Sequence, residues 1–194
     1  IHLEEMWRVG GDEGEDLFGV VSRVLVDDEG RVYLLDNQLS EVPVFSPDGE
    51  RVATLSRMGD GPGETRQPTD MLFMPDGTLG LVVTFPGRIV KVDLEGNPAG
   101  EYTIGNPAEG AFLAMTGAHV SGEDVVVVAV DVAPSADFLS QVRTHLIAGF
   151  DAEGAETVRY HSREQHWDFS GGDFTLSEKE NYFPHLRATV VGPD

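Results

Sequence analysis

The sequence predicts an all-β chain built from β-propeller blades of four antiparallel strands, and three observations carry that reading. Apolar residues alternate with polar ones in short runs, turn glycines bound those runs, and the whole pattern recurs. Gly30 and Gly49 lie 19 residues apart, as do Gly77 and Gly96, and the second pair is offset from the first by 47. A unit of that length with a period of two is the size of a propeller blade, whereas a solenoid of helical pairs shows a period near 3.6.

The first unit occupies residues 20–56. Val24 and Val26, then Val32 and Leu34, then Val42 and Val44 mark its first three strands, and Val52 to Leu55 the fourth. The turns Asp28-Glu29-Gly30 and Pro47-Asp48-Gly49 put glycine where a tight hairpin needs a positive φ. The second unit, 67–104, repeats this with Asp76-Gly77-Thr78 and Glu95-Gly96-Asn97.

A third unit, 111–160, turns at Ser121-Gly122-Glu123 and again at Asp151-Ala152-Glu153-Gly154. Its glycines stand 32 apart instead of 19, so 13 residues are added, and they read as an inserted loop over 133–145. Shifting by 47 lays residues 3–9 over 50–56, which makes them a lone outer strand; 184–194 read as the start of another blade. The expected organisation is one partial propeller domain over 1–194, with three complete blades and a lone strand at each end. The missing blades would come from continuation of the chain or from a second chain, which leaves no open sheet edge.

The composition narrows the function classes. There are 34 acidic residues against 13 basic ones, a net charge of −21, which suits neither phosphate backbones nor anionic membranes. Without cysteine there is no disulfide, thiolate nucleophile or cysteine-held zinc. No apolar run approaches the roughly 18 residues of a membrane span. The chain opens at Ile1 without an initiator methionine, so the expected setting is extracytoplasmic, periplasmic or secreted, after loss of a signal peptide.

The phrases DDEGRVYLLDNQLSEVPVFSPDGE and GDGPGETRQPTDMLFMPDG resemble the NHL-type six-bladed β-propellers of bacteria, over residues 1–104 above all. That resemblance implies six blades and a protein about twice this length. It implies no single activity, because relatives of this kind range from interaction modules to lactonases and amidating lyases.

In a propeller the loop between the second and third strands and the connector between blades open on one face. The loops 36–41, 84–88 and 133–145 and the connectors 10–18, 57–67 and 161–183 therefore share a side, and long loops on a rigid scaffold are where binding is carried. Ligand-binding candidates follow from position and chemistry. Arg23 and Asp70 occupy equivalent places on two first strands, where they either grip a polar ligand or pair with each other. Asp36 and Asn37 offer a carboxylate and an amide at a strand end, which serve a metal ion, a sugar or the loop itself. His166 and Trp167 lie in the densest titratable and aromatic segment, and His185 and Arg187 near the start of the last strand.

Several motifs fail. Gly59, Gly61 and Gly63 have no following Lys-Ser/Thr pair, so no phosphate loop forms, and no G-x-S-x-G elbow occurs. Asp27-Asp28-Glu29-Gly30 lacks the alternating oxygen ligands of a calcium loop. The expectation is a module that binds a protein or small-molecule ligand without a cofactor. The alternative is a metal-dependent hydrolase or lyase with calcium or zinc in the channel.

Overall fold

The computed structural model describes residues 2, 4–11, 16–105 and 112–171. The expected architecture holds: the described residues contain three four-stranded antiparallel sheets with the strands in chain order. The first sheet is β1 (Val21–Val26), β2 (Val32–Asp36), β3 (Val42–Phe45) and β4 (Arg51–Leu55). The second is β5 (Asp70–Phe73), β6 (Leu79–Val83), β7 (Arg88–Val92) and β8 (Pro98–Tyr102). The third is β9 (Phe112–Ser121), β10 (Asp124–Pro134), β11 (Ser140–Phe150) and β12 (Glu156–Asp168). No helix among the described residues is long and apolar enough to cross a membrane.

The hairpins repeat one construction. Gly30, Gly49, Gly77 and Gly96 have φ between +78° and +89°. Each closes a short turn by donating its N–H to the carbonyl three residues back, as in Gly30 N to Asp27 O at 3.0 Å and Gly96 N to Asp93 O at 3.1 Å. The residue opening the turn does as much as the glycine. Asp93 Oδ1 accepts from Glu95 N and Asn97 N, and Asp151 Oδ1 accepts from Glu153 N and Ala155 N. Part of the acidity of the chain is therefore spent inside turns, where a carboxylate satisfies backbone donors the hairpin leaves over.

The chain divides into two compact units, 1–83 with 89–102, and 84–88 with 103–194. In the first unit the inward rows of two sheets meet: Tyr33, Leu35, Val42, Val44 and Leu55 from one, Met71, Leu79, Leu81 and Val92 from the other. The Tyr33 ring meets Phe73 edge-on at 5.2 Å. Removing these alternating apolar side chains from water is the main force holding the two blades together. In the second unit β10 is the buried centre, with Val125 to Ala129 almost wholly enclosed.

Three expectations need correction. The added residues of the third blade are not a loop: β10 runs through Pro134 and β11 begins at Ser140, so the insertion lengthens both strands and leaves only 135–139 as the turn. Residues on both arms find ladder partners, and pairing backbone groups outcompetes leaving them to water. For the same reason 161–168 is not connector but the end of β12, paired residue by residue with β11 from Ile147↔His161 to Ser140↔Asp168. The expected lone strand at 3–9 forms no ladder among its described residues. It is held by side chains instead, with Trp7 stacked on Phe45 at 6.0 Å and its Nε1–H donated to Pro47 O at 2.9 Å. The strand expected near 186–191 lies outside the described residues.

Candidate functional site

The expected clustering of turn and connector is visible in the first unit. Asn37 Nδ2 donates to Pro68 O at 2.7 Å, and Gln67 N donates to the buried Ser40 Oγ at 2.8 Å, so the β2–β3 turn is tied to the connector that leads into β5. Asp36 does the same for the entry into β1. Its carboxylate is buried and accepts from Gly19 N at 2.5 Å, Val20 N at 3.2 Å and Leu39 N at 2.9 Å. Burial pushes this carboxyl up, but the backbone donors outweigh it and hold it below the usual carboxylate range. The Asp36 and Asn37 side chains thus tie the β2–β3 turn to the entry into β1 and to the connector into β5, all at one end of the blade.

Arg23 and Asp70 face each other, with Arg23 Nε 3.2 Å from Asp70 Oδ1. That oxygen also accepts from Met71 N at 2.9 Å. At the other end of the blade, the acidic β1–β2 turn is internally satisfied: Asp27 takes Arg31 Nε at 2.7 Å and the Tyr33 hydroxyl at 3.0 Å. Desolvation, followed by the hydrogen bond to Asp27, pushes the Tyr33 hydroxyl up to about 12. Among the described residues no group of three His, Asp or Glu side chains could hold a metal ion.

His166 and Trp167 sit at the projecting end of the third blade. Because side chains alternate across a strand, the register assigns the two to opposite faces of the sheet. The face of Trp167 carries Gln141, Arg143 and His145 on β11 and Arg163 and Gln165 on β12. Arg143 lies over the indole, 4.2 Å from Cζ to the ring centroid, and His145 Nε2 is 3.1 Å from Gln165 Oε1. With its amide turned so that oxygen faces the guanidinium, Gln141 accepts from Arg143 Nε and Nη2 at 2.7 and 2.8 Å.

The other face carries Ser140, Val142, His166 and Asp168. Around them opens a hollow of about 420 Å³, to which Ser135, Gln141 and Trp167 also contribute. His166 Nε2 stands 4.0 Å from Glu164 Oε2, and both side chains are exposed. Asp168 Oδ1 accepts from Ser170 N at 2.8 Å, and with the Ser170 hydroxyl this holds its carboxyl below the usual range. The turn that closes the end is stiffened by Ser135 and Asp137: Ser135 Oγ donates to Asp137 Oδ1 at 2.6 Å, and Leu139 N donates to the same oxygen at 3.1 Å. That turn holds Phe138 74% exposed and Leu139 49% exposed.

Of the residues singled out from the sequence, His166 and Trp167 line this hollow; Ser140 and Gln141, which line it too, and the nearby Arg143 and exposed Phe138 are not among them. The available signal was the alternation that continues through Val130, Val132 and Val142, which the Pro134-Ser135 turn signal masked. His185 and Arg187 lie outside the described residues.

Residues 13–106 match a family model described as a 6-bladed beta-propeller. Similar solved structures include a Bacteroides caccae protein of unknown function, 14% identical, covering 70% of this chain and 47% of that one with a TM-score of 0.42. A Lactobacillus plantarum protein is 15% identical, covering 75% and 58% with a TM-score of 0.41. Virginiamycin B lyase from Staphylococcus aureus is 12% identical, covering 75% and 54% with a TM-score of 0.38. No curated protein matches the sequence. The chain spans about half the length of these solved structures. With its three four-stranded sheets, it is a stretch of β-propeller.

Proposed function

We propose that this chain is a ligand-binding propeller module whose recognition surface is the projecting end of the third blade. The observation that carries this is a difference in length. Strands β10 to β12 run for 11 to 13 residues, while every strand of the first two blades has 4 to 6. Packing a blade needs only the shorter length, so the extra pairs serve something other than the core. They lift the hollow of Ser140, His166 and Asp168, with the exposed Phe138 and Leu139 beside it, clear of the blade body.

A hydroxyl, an imidazole and a carboxylate around an open hollow supply hydrogen-bond donors and acceptors of several kinds, and the neighbouring apolar side chains add contact area. That mixture suits a small polar ligand, or a polar side chain of a protein, held without a cofactor. An extracytoplasmic setting belongs to the same reading.

Nuclear magnetic resonance of the full chain tests it. Screening a panel of small polar and aromatic compounds should move the amide signals of Ser140, His166, Trp167 and Asp168 together, and His166→Ala with Asp168→Ala should abolish the shifts. Shifts confined to the Asp36 and Asp70 region, or none anywhere, would move recognition off the third blade.

A further inference from the structure

We infer that the outer edge of β12 pairs with the same edge of a second copy of this chain, in a register centred on Gln165. Among the described residues β12 is the last strand of its sheet, and all of it is exposed except Gln165, which is buried, and Trp167, which is half-buried. Such an edge offers a row of backbone donors and acceptors to any strand that fits it. Its pairing with β11 shifts register between Ile147 and Ala148 and again between Gly149 and Phe150, and is regular from His161 to Asp168. Bulges twist an edge away from a partner, so the usable stretch is the regular one.

The side chains on that stretch choose among registers. In an antiparallel pair related by a two-fold axis, the residue at the axis faces itself and its neighbours face each other at equal distances. An axis at Arg163 opposes two guanidinium groups, and an axis at Glu164 opposes two carboxylates. An axis at His166 sets Glu164 against Asp168. Like charges directly opposite are destabilising in every one of these.

An axis at Gln165 removes all the conflicts. It sets the neutral amide against itself, Glu164 against the second copy's His166, Arg163 against its Trp167 and Ser162 against its Asp168. Glu164 and His166 are already neighbours along one face, and their side chains are 64% and 76% exposed. Each is therefore free to turn outward to the partner strand. The indole of Trp167 already accepts one guanidinium, that of Arg143, and this register brings a second to it. The arrangement also sets the two hollows side by side, so a paired molecule would present two binding ends on one surface.

The net charge of −21 opposes association of any two copies, which makes a contact with local complementarity the condition for pairing at all. It also makes the test discriminating. Sedimentation velocity of the full chain over a concentration series, at physiological salt, should show a reversible dimer. E164K should be monomeric, although it lowers the net negative charge and so weakens the general repulsion. E164K/H166E should restore the dimer, although His166→Glu adds negative charge back. Circular dichroism and thermal melting check that each variant is folded. A wild-type chain that stays monomeric throughout, a dimer that persists in E164K, or a double variant without rescue would each overturn the inference. Persistence in E164K would point to another surface, such as the exposed valines of β1.

Discussion

Arg23 on the first strand of one blade and Asp70 on the first strand of the next are 47 residues apart in the chain and 3.2 Å apart in space. The repeat places them at equivalent positions, and the packing of the two sheets turns equivalence into contact. The pair is half-buried on the Arg23 side and more enclosed on the Asp70 side, so it lies between a solvent-screened bridge and a desolvated one. Asp70→Asn should lower the unfolding free energy by about 1–2 kcal/mol. In a double-mutant cycle with Arg23→Met, measured by urea unfolding, the two losses should fall short of additivity. Strict additivity would mean that the residues act independently and remain available to a ligand.

Asp36 holds three backbone donors from two separate segments, Gly19–Val20 and Leu39. Asp36→Ala would leave those N–H groups without an acceptor inside the protein. The expected cost is about 3 kcal/mol or more, since each buried orphan costs about 1–3 kcal/mol. Asp36→Asn keeps one acceptor oxygen and should cost clearly less. Equal, small losses for both variants in urea unfolding would show that water replaces the carboxylate and that the side chain is not structural.

The blade repeat was legible because it rests on local chemistry. A positive φ at Gly30 or Gly77 and a run of alternating apolar residues each leave a mark on a few neighbouring positions. The role of Asp36 was less legible, because its partners Gly19 and Val20 are set by how the chain enters the blade and carry no side-chain signal. The third blade misled for a physical reason. Thirteen extra residues between two strands can form a loose loop or two longer arms with a tight turn, and the spacing of the glycines is the same in both cases. The alternation across Val132 and Val142 distinguishes them only once the pairing of Val132 with Arg143 is known. Hence Trp167 was assigned to a connector although it sits on a strand, and its stacking partner Arg143 went unnoticed.

Acid should unfold this protein through its turn carboxylates. Desolvation pushes the Asp76 carboxyl up, but the Lys91 ammonium 2.7 Å away and the Thr78 hydroxyl and N–H outweigh it and bring it down to about 2. Asp27 and Asp36 are lowered against their own desolvation, and Asp93 is lowered chiefly by the Asn97 side chain. A folded-state value below the unfolded one means stability that is fully present above about pH 4. It is lost as pH falls towards the folded values, near 2 for Asp76. Melting temperature should therefore be flat near neutrality and fall steeply below about pH 4. Lys91→Met should raise the Asp76 value towards the unfolded one, lower the melting temperature near neutrality and shrink the part of the acid loss that Asp76 carries. An acid limb unchanged by Lys91→Met would remove Asp76 from the account.

The projecting end of the third blade should be removable, provided the cut respects the pleat. Val132 faces Arg143 across the ladder, so joining them through Asn-Gly in place of 133–142 keeps every remaining pair in register. Leu146, Ala148 and Phe150 then stay on the buried face, and the shortened chain should melt within a few degrees of the parent while losing the hollow and its bound compounds. Removing 133–143 instead, with the same two-residue Asn-Gly turn, pairs Val132 with Thr144 and shifts the strand by one residue, unless the chain keeps the native Asp131–Thr144 pair through a three-residue turn. A shift of one turns every side chain to the opposite face, so the same three apolar residues would leave the core. That chain should expose apolar surface, bind a hydrophobic dye and lose its cooperative melt. If both deletions behaved alike without the Asp131–Thr144 pair, the extension would be a loop after all, and the length of β10 to β12 would say nothing about recognition.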